Sequence, residues 1–188
     1  MNQESSSLSP QALSLAGLAV EFGKVLANAT EKEPQEFLRE CLRYLPRIFI
    51  SACDLKIYGE DSCPVTEDFN TGAISDSVTE EQYEMVREGI AKLLGEYDVY
   101  LDTPVEDMRY SDTPVGVSLS EQLADIFQCV VDFAATMGMC DGDTATDVLS
   151  EFKYRFHSYL SETICSAQRA VNTLYQSQAL LVTIQRIV

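Results

Sequence analysis

Clustered carboxylates are the residues of this sequence whose types and spacing come nearest to a catalytic pattern. Glu80, Glu81 and Glu84 follow the arrangement E-E-x-x-E, and on a helix the third of these acids shares a face with the first two. Glu121 and Asp125 stand four residues apart in a later segment of helical periodicity. Carboxylate oxygens suit Mg²⁺, which neutralises phosphate charge and activates water. These five acids are therefore a candidate magnesium site.

The same two stretches resemble the all-α nucleoside triphosphate pyrophosphatases related to MazG. In that family an E-E-x-x-E segment and an E-x-x-D segment on successive helices hold Mg²⁺ over the triphosphate, so the resemblance implies a Mg²⁺-dependent nucleotide hydrolase. This sequence departs from the pattern, because Gln122 occupies the position of the E-x-x-D glutamate and the gap between the stretches is longer. Glu80 and Glu81 are also favoured in a first helical turn by the helix dipole alone. We therefore expect a non-enzymatic protein without a cofactor, and keep the hydrolase as the alternative.

Other catalytic and metal-binding patterns are weakly represented. Nucleophilic catalysis by serine or cysteine would have to use His157, the single histidine. Because His157 lies between Phe156 and Tyr159 beside an apolar stripe, we interpret it as a packing residue. The six cysteines form no C-x-x-C pair of the kind that binds zinc. We expect them to remain reduced in the cytoplasm, the compartment that an N-terminus without a signal-peptide pattern also predicts.

A tyrosine- and acid-rich string at 96–126 is the strongest candidate for a recognition surface. It interleaves acids with three tyrosines and the single base Arg109, and tyrosine together with arginine is typical of protein interfaces. A structured cap, with Arg109 paired to nearby acids and the tyrosines stacked over the end of a bundle, would have the same composition. The predicted partner-binding residues are Asp98, Asp102, Glu106, Asp107, Arg109, Tyr110 and Asp112.

Acidic charge is concentrated in one part of the chain. The 188 residues include 13 Lys+Arg and 30 Asp+Glu, a formal net charge of −17. Residues 54–112 hold 16 of the acids and 4 of the bases, a net charge of −12. So acidic a chain is expected to bind neither nucleic acid nor an anionic membrane, and it has no apolar run of the roughly 20 residues that span a bilayer. The acids form either a solvated surface or a face for a basic partner or a divalent cation.

Five segments with apolar residues at helical spacing would position these side chains. They lie at about 10–29, 34–55, 80–94, 119–137 and 143–174. Pro10 predicts the start of the first helix, and Asp143 is the predicted cap of the fifth. The second stripe keeps its phase across Pro46, which predicts a kinked helix because proline removes one backbone hydrogen bond.

Long connections separate these helices. Residues 57–78 form a long acidic loop, and 96–117 a tyrosine- and acid-rich connection that we expect to be mostly ordered loop without strands. The apolar tail at 179–188 either prolongs the last helix or turns back, and packs on its own bundle or on a second copy of the chain. With residues 1–8 as a disordered lead-in, the prediction for 9–188 is a single all-α domain, an antiparallel bundle of five main helices.

Three segments carry a resemblance to a known family. They are VTEEQYEMVREGIAKLLGEYDVYLD at 78–102, VEDMRYSDTPVGVSLSEQLADIFQCVVDF at 105–133 and FKYRFHSYL at 152–160. They resemble a bacterial family of domains of unknown function with the serial number 5063, which implies an all-helical bundle of about this length and no assigned activity. The first hypothesis is accordingly a cytoplasmic helical module for protein interaction or regulation, and the alternative is the magnesium-dependent hydrolase.

Overall fold

Helices make up most of the protein. The structure, a computed structural model, describes residues 9–55, 72–103 and 113–177. Its main elements are α1 Pro10–Ala27, α2 Pro34–Cys53, α3 Glu80–Leu94, β1 Val99–Asp102, β2 Val115–Ser118, α4 Leu119–Met137, α5 Gly142–Arg155, a π-helical turn Phe156–Leu160 and α6 Ser161–Ser177. The prediction of an all-α protein is confirmed, apart from one small sheet. The predicted lead-in at 1–8 and the apolar tail at 179–188 lie outside the described residues.

Local signals set the starts of the first helices. The Ser9 hydroxyl accepts a hydrogen bond from the Ala12 N–H at 3.1 Å, and Pro10 occupies the first helical position. Thr79 and Gln82 form a reciprocal capping box at the start of α3. α2 runs unbroken through Pro46, which confirms that the apolar stripe continues across the proline. Within the described residues no helix is long and apolar enough to cross a membrane.

The connection after α3 contains two strands that we did not predict. β1 and β2 pair antiparallel, with Tyr100 opposite Val117 and Asp102 opposite Val115. The expectation of a loop without strands is therefore wrong. Each strand is four residues long, too short to show an alternating pattern, and the two are separated along the chain by residues 103–114. Tertiary contacts rather than local periodicity define this hairpin.

Residues 142–177 form one long helical rod, here called the C-terminal rod, with an irregular turn in its middle. α5, the π-helical turn and α6 follow one another without a break, as the long apolar stripe predicted. α5 begins at Gly142, with Asp141 as its N-cap accepting from the Thr144 N–H at 3.1 Å. The prediction of Asp143 as the cap is wrong, because the chain enters the helix two residues earlier. A π-helical turn inserts an extra residue and is frequent at functional sites.

The core lies between α4 and the helices around it. α1 packs against α2 and α4, α2 against α6, and α3 against α4. Five fully buried phenylalanines fill much of the interior: Phe22, Phe37, Phe133, Phe152 and Phe156. α1 and α4 approach closely at Gly23, where an added Cβ would lie 2.8 Å from Cγ2 of Val131. This packing holds α4 as the central helix on which the surfaces described below are built.

Candidate functional site

Two of the predicted partner-binding acids tie the hairpin to the helices. Asp98 accepts hydrogen bonds from the Ser120 N–H at 2.7 Å, the Ser120 hydroxyl at 2.8 Å and the Ser118 hydroxyl at 3.1 Å. A carboxylate at the start of α4 is favoured by the helix dipole as well as by these donors. Asp98 therefore fixes the end of the hairpin at which α4 begins.

Asp102 occupies a polar cluster between β1 and α6. Its carboxylate is buried and accepts from the Ser166 hydroxyl and the Arg169 guanidinium. The Tyr100 hydroxyl lies 2.7 Å from Oε1 of Gln122 and 2.9 Å from the Ser166 hydroxyl. We call these five residues the anchor cluster. It holds the inner face of the hairpin against α4 and α6, so Asp102 is not available on an open acidic surface.

The outer face of the hairpin carries aliphatic side chains. Because side chains alternate along a strand, Val99 and Leu101 point away from the anchor cluster, and they are 64% and 73% exposed. The other predicted partner-binding residues lie outside the described residues: Glu106, Asp107, Arg109, Tyr110 and Asp112.

The carboxylates of the magnesium hypothesis lie on α3 and α4, and three of them, Glu84, Glu121 and Asp125, are close enough to Tyr83 to raise its pKa in addition to burial. The five acids are Glu80, Glu81, Glu84, Glu121 and Asp125. Glu84 is paired with Arg87, with 2.5 Å between Oε2 and Nη2, and Asp125 accepts from the Tyr83 hydroxyl at 2.7 Å. Among the described residues, which include all five, no three acids, histidines or cysteines are grouped so as to hold a metal ion.

A polar groove runs between α4 and the C-terminal rod. Its larger cavity, of about 550 Å³, reaches from the anchor cluster along α6, and its smaller cavity, of about 240 Å³, lies along α4 towards residue 76. Tyr159, within the π-helical turn, lines both cavities. Clefts between helices are common ligand sites in bundles. The groove is a second candidate surface, and sequence reasoning did not identify it.

A segment that contributes Asp76 to the lining of the smaller cavity is held in place by buried acceptors. Five backbone N–H groups within residues 73–78, here called the strap, donate to side chains of α4 and α5. Glu151 accepts from residues 73 and 74 at 2.7 and 3.3 Å, Thr136 from residue 75 at 3.1 Å, and Asp132 from residues 77 and 78, both at 2.7 Å. Asp132 and Glu151 are 1% and 0% exposed. Buried carboxylates here replace the strand or helix partners that these N–H groups would otherwise need.

The electrostatics of the groove favour protonated, unreactive side chains over nucleophiles. Burial raises the pKa of the Cys129 thiol to about 11, so the thiol stays protonated at neutral pH and is a poor nucleophile. Burial also raises the pKa of Tyr159, next to Cys129. Arg155 is paired with Glu151, 2.6 Å between Nη2 and Oε1. The groove thus has the features of a binding surface more than of a covalent catalytic centre.

Two comparisons with known proteins give the family of the chain and a protein of similar fold. The chain belongs to the family described as a domain of unknown function (DUF5063), whose model matches residues 6–177. The crystal structure of protein BF1032 from Bacteroides fragilis has a similar fold, with a TM-score of 0.68 and 24% identity over 88% of this chain and 92% of that chain. Identity at this level supports the fold alone. No curated protein matches the chain at a significant level.

Proposed function

We propose that the chain is a cytoplasmic, non-enzymatic protein-interaction module whose recognition surface is the outer face of the β1–β2 hairpin. The observation that carries the proposal is the exposure of Val99 and Leu101 side by side on this face. Exposed aliphatic groups that lie together mark interaction surfaces on soluble proteins. Burying both of them in a complex would contribute about 2 kcal/mol or more to binding.

The inner face of the hairpin supports this proposal because it is already fixed. Tyr100 and Asp102 alternate with the two exposed residues and are bonded to α4 and α6. A surface held in place before binding loses little conformational entropy when a partner docks. A two-stranded hairpin is otherwise marginally stable, so the anchor cluster accounts for its persistence.

Acidic charge around the hairpin favours a basic partner. Glu96 is exposed just before β1, and the connection between the strands contributes Glu106, Asp107 and Asp112, which lie outside the described residues. Complementary charge accelerates encounter and selects partners more than it adds affinity. Self-association through the apolar tail at 179–188 stays a prediction.

The test compares hairpin variants with variants of equally exposed residues elsewhere. The protein is used to capture partners from a lysate of its source cells, and a captured partner is purified and titrated. Replacing Val99 and Leu101 by serine is expected to weaken its binding roughly 30-fold, the equivalent of about 2 kcal/mol. Replacing Met85 and Met139 by serine, which are 62% and 74% exposed on α3 and after α4, is the matched control and is expected to leave binding unchanged.

Charge reversal tests the electrostatic part separately. The double substitution Asp107→Lys and Asp112→Lys is expected to slow association with the same partner. Its circular dichroism spectrum is expected to remain that of the parent protein. The proposal fails if the serine pair and the control pair bind the partner equally well, or if the captured set of proteins is unchanged by both kinds of variant.

A further inference from the structure

Within the described residues the hairpin is a sheet of two strands, so each strand has one edge without a partner strand. In an antiparallel pair, hydrogen-bonded and non-hydrogen-bonded positions alternate along each strand. The Leu119 N–H donates to the Asp98 carbonyl at 2.8 Å, which makes Asp98 a hydrogen-bonded position in the register of the hairpin. Two and four residues further on, Tyr100 and Asp102 therefore direct their backbone N–H and C=O groups to β2.

Val99 and Leu101, which lie between these positions, direct their N–H and C=O groups away from β2. Both residues are more than half exposed, and in the described part of the chain neither backbone makes a hydrogen bond on this side. The opposite edge is shorter, because β2 continues directly into α4 and Ser118 is also the N-cap of that helix. A row of unpaired N–H and C=O groups is a template for an added strand. The outer edge of β1 thus offers two donors and two acceptors to an extended segment.

The side chains beside this edge favour a strand with aliphatic residues at every second position. Val99 and Leu101 present exposed side chains on the outer face of the hairpin. An added strand would continue the sheet and place alternate side chains on that same face. Facing side chains of neighbouring strands lie about 5 Å apart at their Cβ atoms, so aliphatic groups there would cover both exposed residues. One strand can therefore satisfy the backbone groups and the aliphatic side chains together.

The charge of this part of the chain favours basic residues at the remaining positions of such a strand. Residues 96–112 hold six acids and one base, and Glu96, just before β1, is exposed. Complementary charge speeds the encounter and disfavours acidic segments. We propose that β1 accepts, as a third strand, an extended segment of a partner protein in which aliphatic and basic residues alternate. This inference rests on the proposed function and specifies how the partner is recognised.

Calorimetric titration of the purified full chain with synthetic peptides tests the inference. The parent probe is an octapeptide of alternating lysine and valine, blocked at both ends. Two further forms are N-methylated at the backbone nitrogens of either all lysines or all valines. Because alternate N–H groups of a strand point to opposite edges, each form loses the donors of one edge only. One methylated form is expected to bind about tenfold more weakly than the parent peptide, and the other within about twofold of it. A matched peptide of alternating glutamate and valine is expected to show no saturable binding.

Amide exchange and matched variants locate the bound peptide. The parent peptide is expected to slow exchange at Val99 and Leu101 more than at Gly116, whose N–H lies on the opposite edge of the hairpin. Replacing Val99 and Leu101 by serine is expected to weaken binding of the parent peptide. Replacing the exposed Met85 and Met139 by serine is the control and is expected to leave the affinity unchanged.

The outcomes separate strand addition from the proposed function. If both methylated forms bind equally well while the serine pair weakens binding, strand addition is overturned and the hairpin face remains the recognition surface. Strand addition is also overturned if the parent peptide does not bind saturably, or if the serine pair leaves its affinity unchanged. Slow exchange at Val99 and Leu101 in the free chain would overturn it too, since a second copy or another segment of the chain would then occupy the edge. The proposed function fails separately, when the serine pair binds the captured partner as tightly as the parent protein does.

Discussion

Replacing Asp132 by alanine removes the acceptor for two backbone N–H groups of the strap. Both bonds are 2.7 Å long, and the Val78 N–H is buried. A hydrogen bond to a charged group contributes about 1.5–3 kcal/mol, and a buried donor left without a partner costs a similar amount. The pKa of Asp132 is raised because its burial disfavours the charge more than the two N–H groups favour it. We therefore expect a loss near the lower limit for two such bonds, about 3 kcal/mol.

Replacing Asp132 by asparagine separates the effect of losing the hydrogen-bond acceptor from the effect of losing the negative charge. Asp132→Asn keeps Oδ1 and removes a negative charge whose burial is unfavourable, since a raised carboxyl pKa means that folding favours the neutral form. It is expected to change the free energy of unfolding by less than about 1 kcal/mol. For a chain of this size, the alanine variant should lower the melting temperature by about 6–12 °C.

Thermal melts and hydrogen exchange measure the two effects. Circular dichroism follows the melting temperature, and exchange at Ser77 and Val78 reports whether the strap detaches while the helices stay folded. Asp147→Ala, an exposed acid on α5, is the matched control and is expected to stay within about 0.5 kcal/mol of the parent protein. The reasoning is refuted if Asp132→Ala melts with the parent protein and exchange at Val78 is unchanged, or if asparagine is as damaging as alanine.

Two further predictions concern helix packing and metal. Gly23→Ala is expected to destabilise the protein by roughly 1–3 kcal/mol, because the new Cβ meets Val131. Gly17→Ala, whose new Cβ would meet nothing within 4 Å, should instead stabilise α1 by up to about 1 kcal/mol. If urea denaturation gives the two variants equal free energies of unfolding, the close approach of α1 and α4 is contradicted. Millimolar Mg²⁺ is expected to leave the melting temperature unchanged, because among the described residues no three acids, histidines or cysteines are grouped so as to hold a metal ion. A saturable rise would favour the hydrolase instead.

Helix positions were predictable because each helix buries a continuous stripe. Leu15, Phe22 and Leu26 recur at helical spacing and are fully buried in α1, and α4 behaves in the same way. Capping side chains such as Ser9 and Thr79 act over three residues, so their effect is visible in the local sequence. The whole long C-terminal rod followed from one stripe that keeps its phase.

The hairpin was not predictable for a physical reason. Its strands are short and are stabilised by partners distant in sequence, such as Ser166 and Arg169 for Asp102. The sequence predicts that the acids at 98 and 102 belong to an exposed surface, because composition does not distinguish a solvated carboxylate from one bonded to hydroxyl and guanidinium groups. The contacts of Asp102 depend on how α6 packs against the hairpin, which the local sequence does not indicate.

The sequence contains a partial indication that Asp132 and Glu151, the carboxylates under the strap, are buried. Asp132 lies between Val131 and Phe133, and Glu151 directly precedes the buried Phe152. A charged residue within an apolar stripe indicates a buried carboxylate that must be paired. The identity of its partner could not be inferred, since the donors are backbone N–H groups, which every residue except proline carries.

The most direct test of the proposed function is the exchange footprint of the complex with a captured, purified partner. Amide exchange is compared in the free and bound protein over the described residues. The account predicts slower exchange in β1 and β2, around Val99 and Leu101, with α1 and α2 unchanged. Protection confined to α1 and α2, with the hairpin exchanging as in the free protein, would contradict it.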